Sequence, residues 1–129
     1  MDSYKKVKNY LSELGFDILE EDEDGVISIT DEDKGIKDLM IDCEEPILII
    51  EQFIFTIKSE SLDMYKKLLA INRSLVHGAF VLDESTKSIL FRDTLQLSNL
   101  DKNELEASII ALALALGEHT NDLISFSRE

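Results

Sequence analysis

The stretch Ile47-Leu48-Ile49-Ile50-Glu51-Gln52-Phe53-Ile54-Phe55-Thr56-Ile57 is the tightest constraint on what this chain can fold into. Its β-branched and aromatic residues fall on both parities, so both faces are apolar, and a segment of that kind belongs in the middle of a sheet. Further strand candidates lie around it. Phe16–Glu21 and Val26–Thr30 are short β-prone runs on either side of Glu23-Asp24-Gly25, where Asp-Gly tolerates the positive φ of a hairpin turn. Lys37–Cys43 alternates Leu39, Ile41 and Cys43 with Met40 and Asp42 and reads as an edge-type strand. Ala79–Asp83 and Ser88–Leu95 flank the polar stretch Glu84-Ser85-Thr86-Lys87 and form a second hairpin.

Helical periodicity occupies the remaining segments. Ser3–Leu14 places Tyr4, Val7, Tyr10, Leu11 and Leu14 at helical spacing before Gly15 stops it. Ser61 caps a second helix, in which Leu62, Tyr65, Leu68, Leu69, Asn72, Leu75 and Val76 follow the i, i+3, i+4 rule down to Gly78. Asp101, with Glu104 three residues on, is a capping-box pattern that opens a third helix through at least Gly117, with further turns over His119–Phe126. The order α-β-β-(β)-β-α-β-β-α predicts the α+β class: a single two-layer domain over 1–129, with helices packed on an antiparallel sheet of five to six strands. The sole proline and a few scattered glycines leave no candidate linker.

Charge narrows the function. The 129 residues carry 13 Lys+Arg against 27 Asp+Glu, a formal net charge of −14, which repels phosphate backbones and argues against nucleic-acid binding. The longest apolar run, Ile109–Leu116, falls far short of the roughly 20 residues of a bilayer-spanning helix, so no transmembrane segment is expected. A lone cysteine, Cys43, excludes an intrachain disulfide and favours a reducing compartment. The first residues lead straight into an amphipathic segment without a signal-type apolar stretch, and the expected location is the cytoplasm.

Motifs with chemistry are sparse. Laid on a calcium loop, Glu20, Asp22 and Asp24 take the first, third and fifth ligand places, Gly25 the sharp turn, and Asp31 the place of the bidentate glutamate. Against this alternative, the first and last carboxylates have the wrong lengths, Gly15 interrupts an incoming helix, and Asp31–Gly35 is a poor start for an outgoing one. A solvated hairpin turn is the preferred reading. Cys43 has no second sulfur nearby, and His77 and His119 belong to no metal-ligand spacing. There is no Gly-x-Ser-x-Gly elbow, Walker loop or dinucleotide fingerprint, so the sequence names no nucleophile, base, metal or cofactor and points away from an enzyme. Arg92 is expected to pair with Asp93 or Glu84 in a surface salt bridge.

The third helix is the feature that points to a partner. Ile109, Leu112 and Leu116 mark one face, Ile110 and Leu114 another, and Ala107, Ala111, Ala113 and Ala115 fill the rest. A helix apolar nearly all round cannot leave half its perimeter in water. A homodimer or client contact is therefore expected at this helix, through Leu105, Ile109, Leu112 and Leu116.

The string Leu69-Ala70-Ile71-Asn72-Arg73-Ser74-Leu75-Val76-His77-Gly78-Ala79-Phe80-Val81-Leu82-Asp83, followed by Ser88-Ile89-Leu90-Phe91-Arg92-Asp93-Thr94-Leu95, carries a family resemblance. It resembles the YbjN-like group of bacterial proteins, particularly the YjfI-type branch, whose fold is similar to the type III secretion chaperones. The helix ending in Asn-Arg, the Gly-Ala-Phe strand entry and Phe-Arg-Asp before a polar-capped helix carry the match, and element order extends it along the chain. The resemblance implies a small, acidic, often dimeric cytoplasmic protein that binds a protein partner or client and has no catalytic residues to transfer. It further implies a phage-shock-protein-A-like membrane-stress protein as one candidate partner.

Overall fold

Ile47–Thr56 does run through the middle of a sheet, and it brings strands from both ends of the sequence together. The computed structural model describes residues 2–129 and, among them, six strands and four helices. In chain order these are α1 (Ser3–Glu13), β1 (Ile18–Glu21), β2 (Val26–Asp31), β3 (Ile36–Glu44), β4 (Ile47–Thr56), α2 (Leu62–Ser74), β5 (Ala79–Leu82), β6 (Ser88–Gln96), α3 (Lys102–Glu118) and α4 (Thr120–Arg128). The sheet order is β1-β2-β3-β4-β6-β5, antiparallel throughout.

Local chemistry sets the helix starts. Asp2 accepts from the Lys5 N–H at 2.8 Å and Ser61 from the Met64 N–H at 3.3 Å. At α3 the reciprocal box forms: Asp101 accepts from the Glu104 N–H at 2.8 Å while Glu104 accepts from the Asp101 N–H at 3.2 Å. The turns over His119–Phe126 form a separate helix. Its break has a cause, because the Thr120 hydroxyl donates to the Leu116 carbonyl at 2.6 Å and competes with the main-chain ladder there.

Two expectations change. Lys37–Cys43 is not at an edge; β3 lies between β2 and β4, and the edges are β1 and β5. Met40 and Asp42, which alternate with Leu39, Ile41 and Cys43, lie on a sheet face that no helix covers. Arg92 pairs with Glu51, its cross-strand neighbour, at 3.0 Å, and not with Asp93 or Glu84. Asp93 instead accepts a 2.6 Å hydrogen bond from the hydroxyl of Ser108, which is buried in α3.

The core occupies one side of the sheet. Ile27, Ile29, Leu39, Ile41, Leu48, Ile50, Ile89 and Phe91 share one parity and are buried with Val7 and Leu11 of α1, Met64 and Leu68 of α2, Leu105, Ile109 and Leu112 of α3, and Leu123 of α4. Gln52 is the polar exception in this layer. It accepts from the Lys37 N–H and donates to the Gly35 carbonyl, closing the chain where β3 begins. The other parity carries Val26, Ser28, Met40, Asp42, Ile49, Glu51, Phe53, Leu90 and Arg92, all partly or fully exposed.

Gly78, at the entry to β5, is fixed by two constraints. Its φ is +76°, and a Cβ placed there would overlap the ring of Phe91. Gly78→Ala is therefore expected to destabilise the protein by about 2–4 kcal/mol in urea unfolding. Gly117→Ala, in a helix with open space around it, should be neutral or raise stability by about 0.5–1 kcal/mol.

Candidate functional site

The residues that carried the family resemblance meet at one junction. Phe80 of β5 and Phe91 of β6 pack edge to face with ring centroids 5.3 Å apart. Asn72, in the last turn of α2, holds the backbone of Phe80 from both sides: its Oδ1 accepts from the Phe80 N–H at 2.8 Å and its Nδ2 donates to the Phe80 carbonyl at 3.0 Å. That carboxamide replaces a missing strand neighbour and closes the β5 edge at Phe80 to strand addition. Beyond the clamp, Tyr65, Leu68, Leu69, Phe80, Leu82 and Ile89 line an apolar groove between α2 and β5.

From the rim of this groove outward, α2 presents an exposed apolar row that includes Leu69. Leu62 and Leu69 are seven residues apart and 69% and 67% exposed, and Val76, just beyond the helix, is 89% exposed. Glu60 and Asp63 lie at the start of this row and Arg73 at its end.

The third helix lies differently from the expected contact. Leu105, Ile109 and Leu112 are fully buried inside their own chain, and Leu116 is half-buried against the core. A contact through them would require α3 to leave the sheet. The second face of the helix is the free one, with Ile110 and Leu114 at 39% and 59% exposure. Sequence reasoning missed Asn72 as a clamp. The signal available was a lone carboxamide in an otherwise apolar helical series, two turns before a glycine-led strand.

The calcium alternative fails on geometry. Asp22 turns inward on its own hairpin, accepting from the Asp24 and Val26 N–H groups at 2.9 and 3.1 Å. Asp31 sits at the opposite end of β2, about 16 Å away by strand rise, beside Lys34. Glu20, Asp22, Asp24 and Asp31 therefore do not converge. Among the described residues no group of three or more His, Cys, Asp or Glu could hold a metal ion. Burial pushes the Cys43 thiol up to about 11, with Asp42 adding to the effect, so the thiolate is disfavoured at neutral pH. At the same end of the sheet the Tyr4 hydroxyl donates to Glu21 at 2.7 Å, and Lys8 pairs with Glu21 at 3.0 Å.

Known proteins place this geometry in a family. The CesT_Tir_1 family matches residues 1–129. The chain belongs to that family, one of type III secretion chaperones. YbjN from E. coli has a similar structure, with a TM-score of 0.71 at 17% identity over 92% of this chain and 91% of that one. A chain of the HopA1–SchA chaperone–effector complex gives 0.63 at 14% identity, over 98% and 94%. A chain from the Yersinia pestis secretion chaperone SycH in complex with a YscM2 fragment gives 0.57 at 16%, over 98% and 100%. No curated protein matches the sequence with significance. The shared property at these identities is the fold: one antiparallel sheet with helices, in an α+β domain. Among the described residues no helix is long and apolar enough to cross a membrane.

Within this CesT_Tir_1 fold, two polar residues yield measurable consequences. Asn72→Ala leaves the Phe80 N–H and carbonyl without their partner and should cost about 1–3 kcal/mol in denaturant unfolding. Asp42 lies on the uncovered sheet face between Val26 and Ile49 in register, and its Oδ1 is shielded without a hydrogen-bond partner among the described residues. Burial first, then the carboxylate of Glu44, raises its carboxyl above the ordinary Asp range. A raised acid stabilises the fold only while protonated; its contribution is complete below the ordinary Asp value and is lost as pH rises through the folded value. Asp42→Asn should therefore melt higher than the parent at neutral pH and equal it in acid below the ordinary Asp range. Parallel melts across pH check this.

Proposed function

We propose that this chain is a non-enzymatic, dimeric protein-binding chaperone or adaptor that works in the cytoplasm. The observation that carries the reading is the concentration of exposed large apolar side chains on and around α2 and β5: Leu62 and Leu69 in one row, Val76 just past the end of the helix, and Leu82 at the adjoining groove. A chain that leaves such side chains in water needs a covering surface. Its fold is shared with chains from a chaperone–effector complex and from a secretion chaperone bound to a protein fragment, and those neighbours supply the analogy for a protein partner. The neighbours and the family support no phage-shock-protein-A-like partner.

Self-association is assigned to α2 in place of α3. Two copies of α2 packed antiparallel would lay Leu62 and Leu69 of one against the same row of the other. The same arrangement sets Glu60 and Asp63 of each copy near Arg73 of its mate, so the contact is complementary in charge as well as apolar.

The native mass by light scattering tests this. The wild-type particle is expected at about twice the 14.6 kDa chain mass, and Leu69→Glu, exposed and therefore folded, at the single-chain mass. Leu112→Glu should unfold, because that side chain is fully buried. A folded wild-type monomer would contradict the dimer.

A further inference from the structure

The uncovered face of the sheet has a defined chemistry of its own. In register across five strands run Ser28, Met40, Glu51, Arg92 and Ala79, with Glu20 of β1 opposite Ser28. The neighbouring rows are Val26, Asp42, Ile49 and Thr94 on one side and Phe53, Leu90 and Val81 on the other. The face is mixed: apolar Met40, Ile49, Phe53, Leu90 and Val81 lie among charged residues, with Met40 and Phe53 exposed outright. Its charges are unbalanced. Arg92 is already paired with Glu51, whereas Glu20, Asp42, Glu44 and Glu84 form no ion pair among the described residues. A shallow depression lies at one end, floored by Val81 and Leu90 and bounded by Glu51, Asp83, Glu84 and Arg92.

The geometry points to this face as the docking surface for a basic amphipathic helix of a partner protein. A second copy of the chain is disfavoured here, because face-to-face packing would bring together two surfaces with the same excess of carboxylates. An extended segment is disfavoured as well. Laid on a sheet face instead of an edge, it would bury backbone N–H and carbonyl groups without partners, whereas a helix satisfies its own. Helices on a sheet face are also how this chain covers the opposite side. Six strands span about 24 Å, which a helix of about 16 residues crosses. Its apolar stripe would rest on Met40, Ile49, Phe53 and Leu90, and flanking lysines or arginines would reach Asp42, Glu44, Glu20 and Glu84.

The inference rests on the protein-binding reading and names its partner's chemistry, and the test separates the two. The probe is a synthetic helix of about 16 residues with a leucine/alanine stripe and lysines elsewhere, added to the full chain under methyl NMR and calorimetry. Shifts at Met40, Ile49 and Leu90, with Leu68 and Leu69 unmoved, are expected. The double variant Met40→Ser/Phe53→Ser, altered at exposed positions, should weaken binding by about ten-fold or more, and so should replacing the peptide lysines with glutamates. The assignment is overturned if the shifts fall in the α2–β5 groove, if a glycine/lysine peptide of equal charge binds as tightly, or if no complex forms. The dimer and its loss in Leu69→Glu are measured without this peptide, so the protein-binding reading stands or falls separately.

Discussion

Four helices cover one face of a six-stranded sheet and leave the other face bare, and this asymmetry governs the rest of the structure. Each helix spends its most apolar stripe on the same layer. Ion pairs then join helix to helix at the periphery, Lys67 with Asp122 between α2 and α4 and Lys102 with Glu13 between α3 and α1. These exposed pairs contribute little energy each, about 0–1 kcal/mol, and the layer is held by the burial beneath them. What remains apolar after that burial, on α2, on the far side of α3 and on the open sheet, is the surface through which a chaperone-like protein can meet others.

The α2–β5–β6 junction shows how a family pattern can be packing chemistry. Asn72, Gly78, Phe80, Phe91 and Asp93 belong to the string by which the sequence resembles YbjN-like proteins. In the fold they are a carboxamide clamp, a position without room for a Cβ, a crossed pair of rings and a carboxylate that takes the one buried hydroxyl of α3. Together they hold α2 in place, with Leu62 and Leu69 facing outward and the β5 edge closed at Phe80.

The element order was legible because turns and periods are local properties: Asp-Gly before Val26, Gly15 and Gly78 as stops, and the Asp101–Glu104 box all act over a few residues. Strand neighbours were not legible in the same way. The alternation in Lys37–Cys43 is equally compatible with an edge and an interior strand, and only pairing with β4 decides between them. On α3 the difficulty was the reverse. With alanine and large aliphatic residues all round, the pattern gives no preferred side; in the fold Leu105, Ile109 and Leu112 lie inward, and Ser108, on the same stripe, reaches Asp93. The acidic hairpin misled for a related reason, since ligand spacing along a sequence presumes a loop that closes, and a strand carries Asp31 away from Asp22 and Asp24.

One-sidedness is directly measurable by the relaxation that a soluble paramagnetic agent induces in side-chain methyl groups. The account predicts strong enhancement at Met40, Ile49 and Leu90 and near-complete shielding at Leu39, Leu48, Ile50 and Ile89, which alternate with them along the same strands. Equal shielding of both sets in the native particle would contradict it.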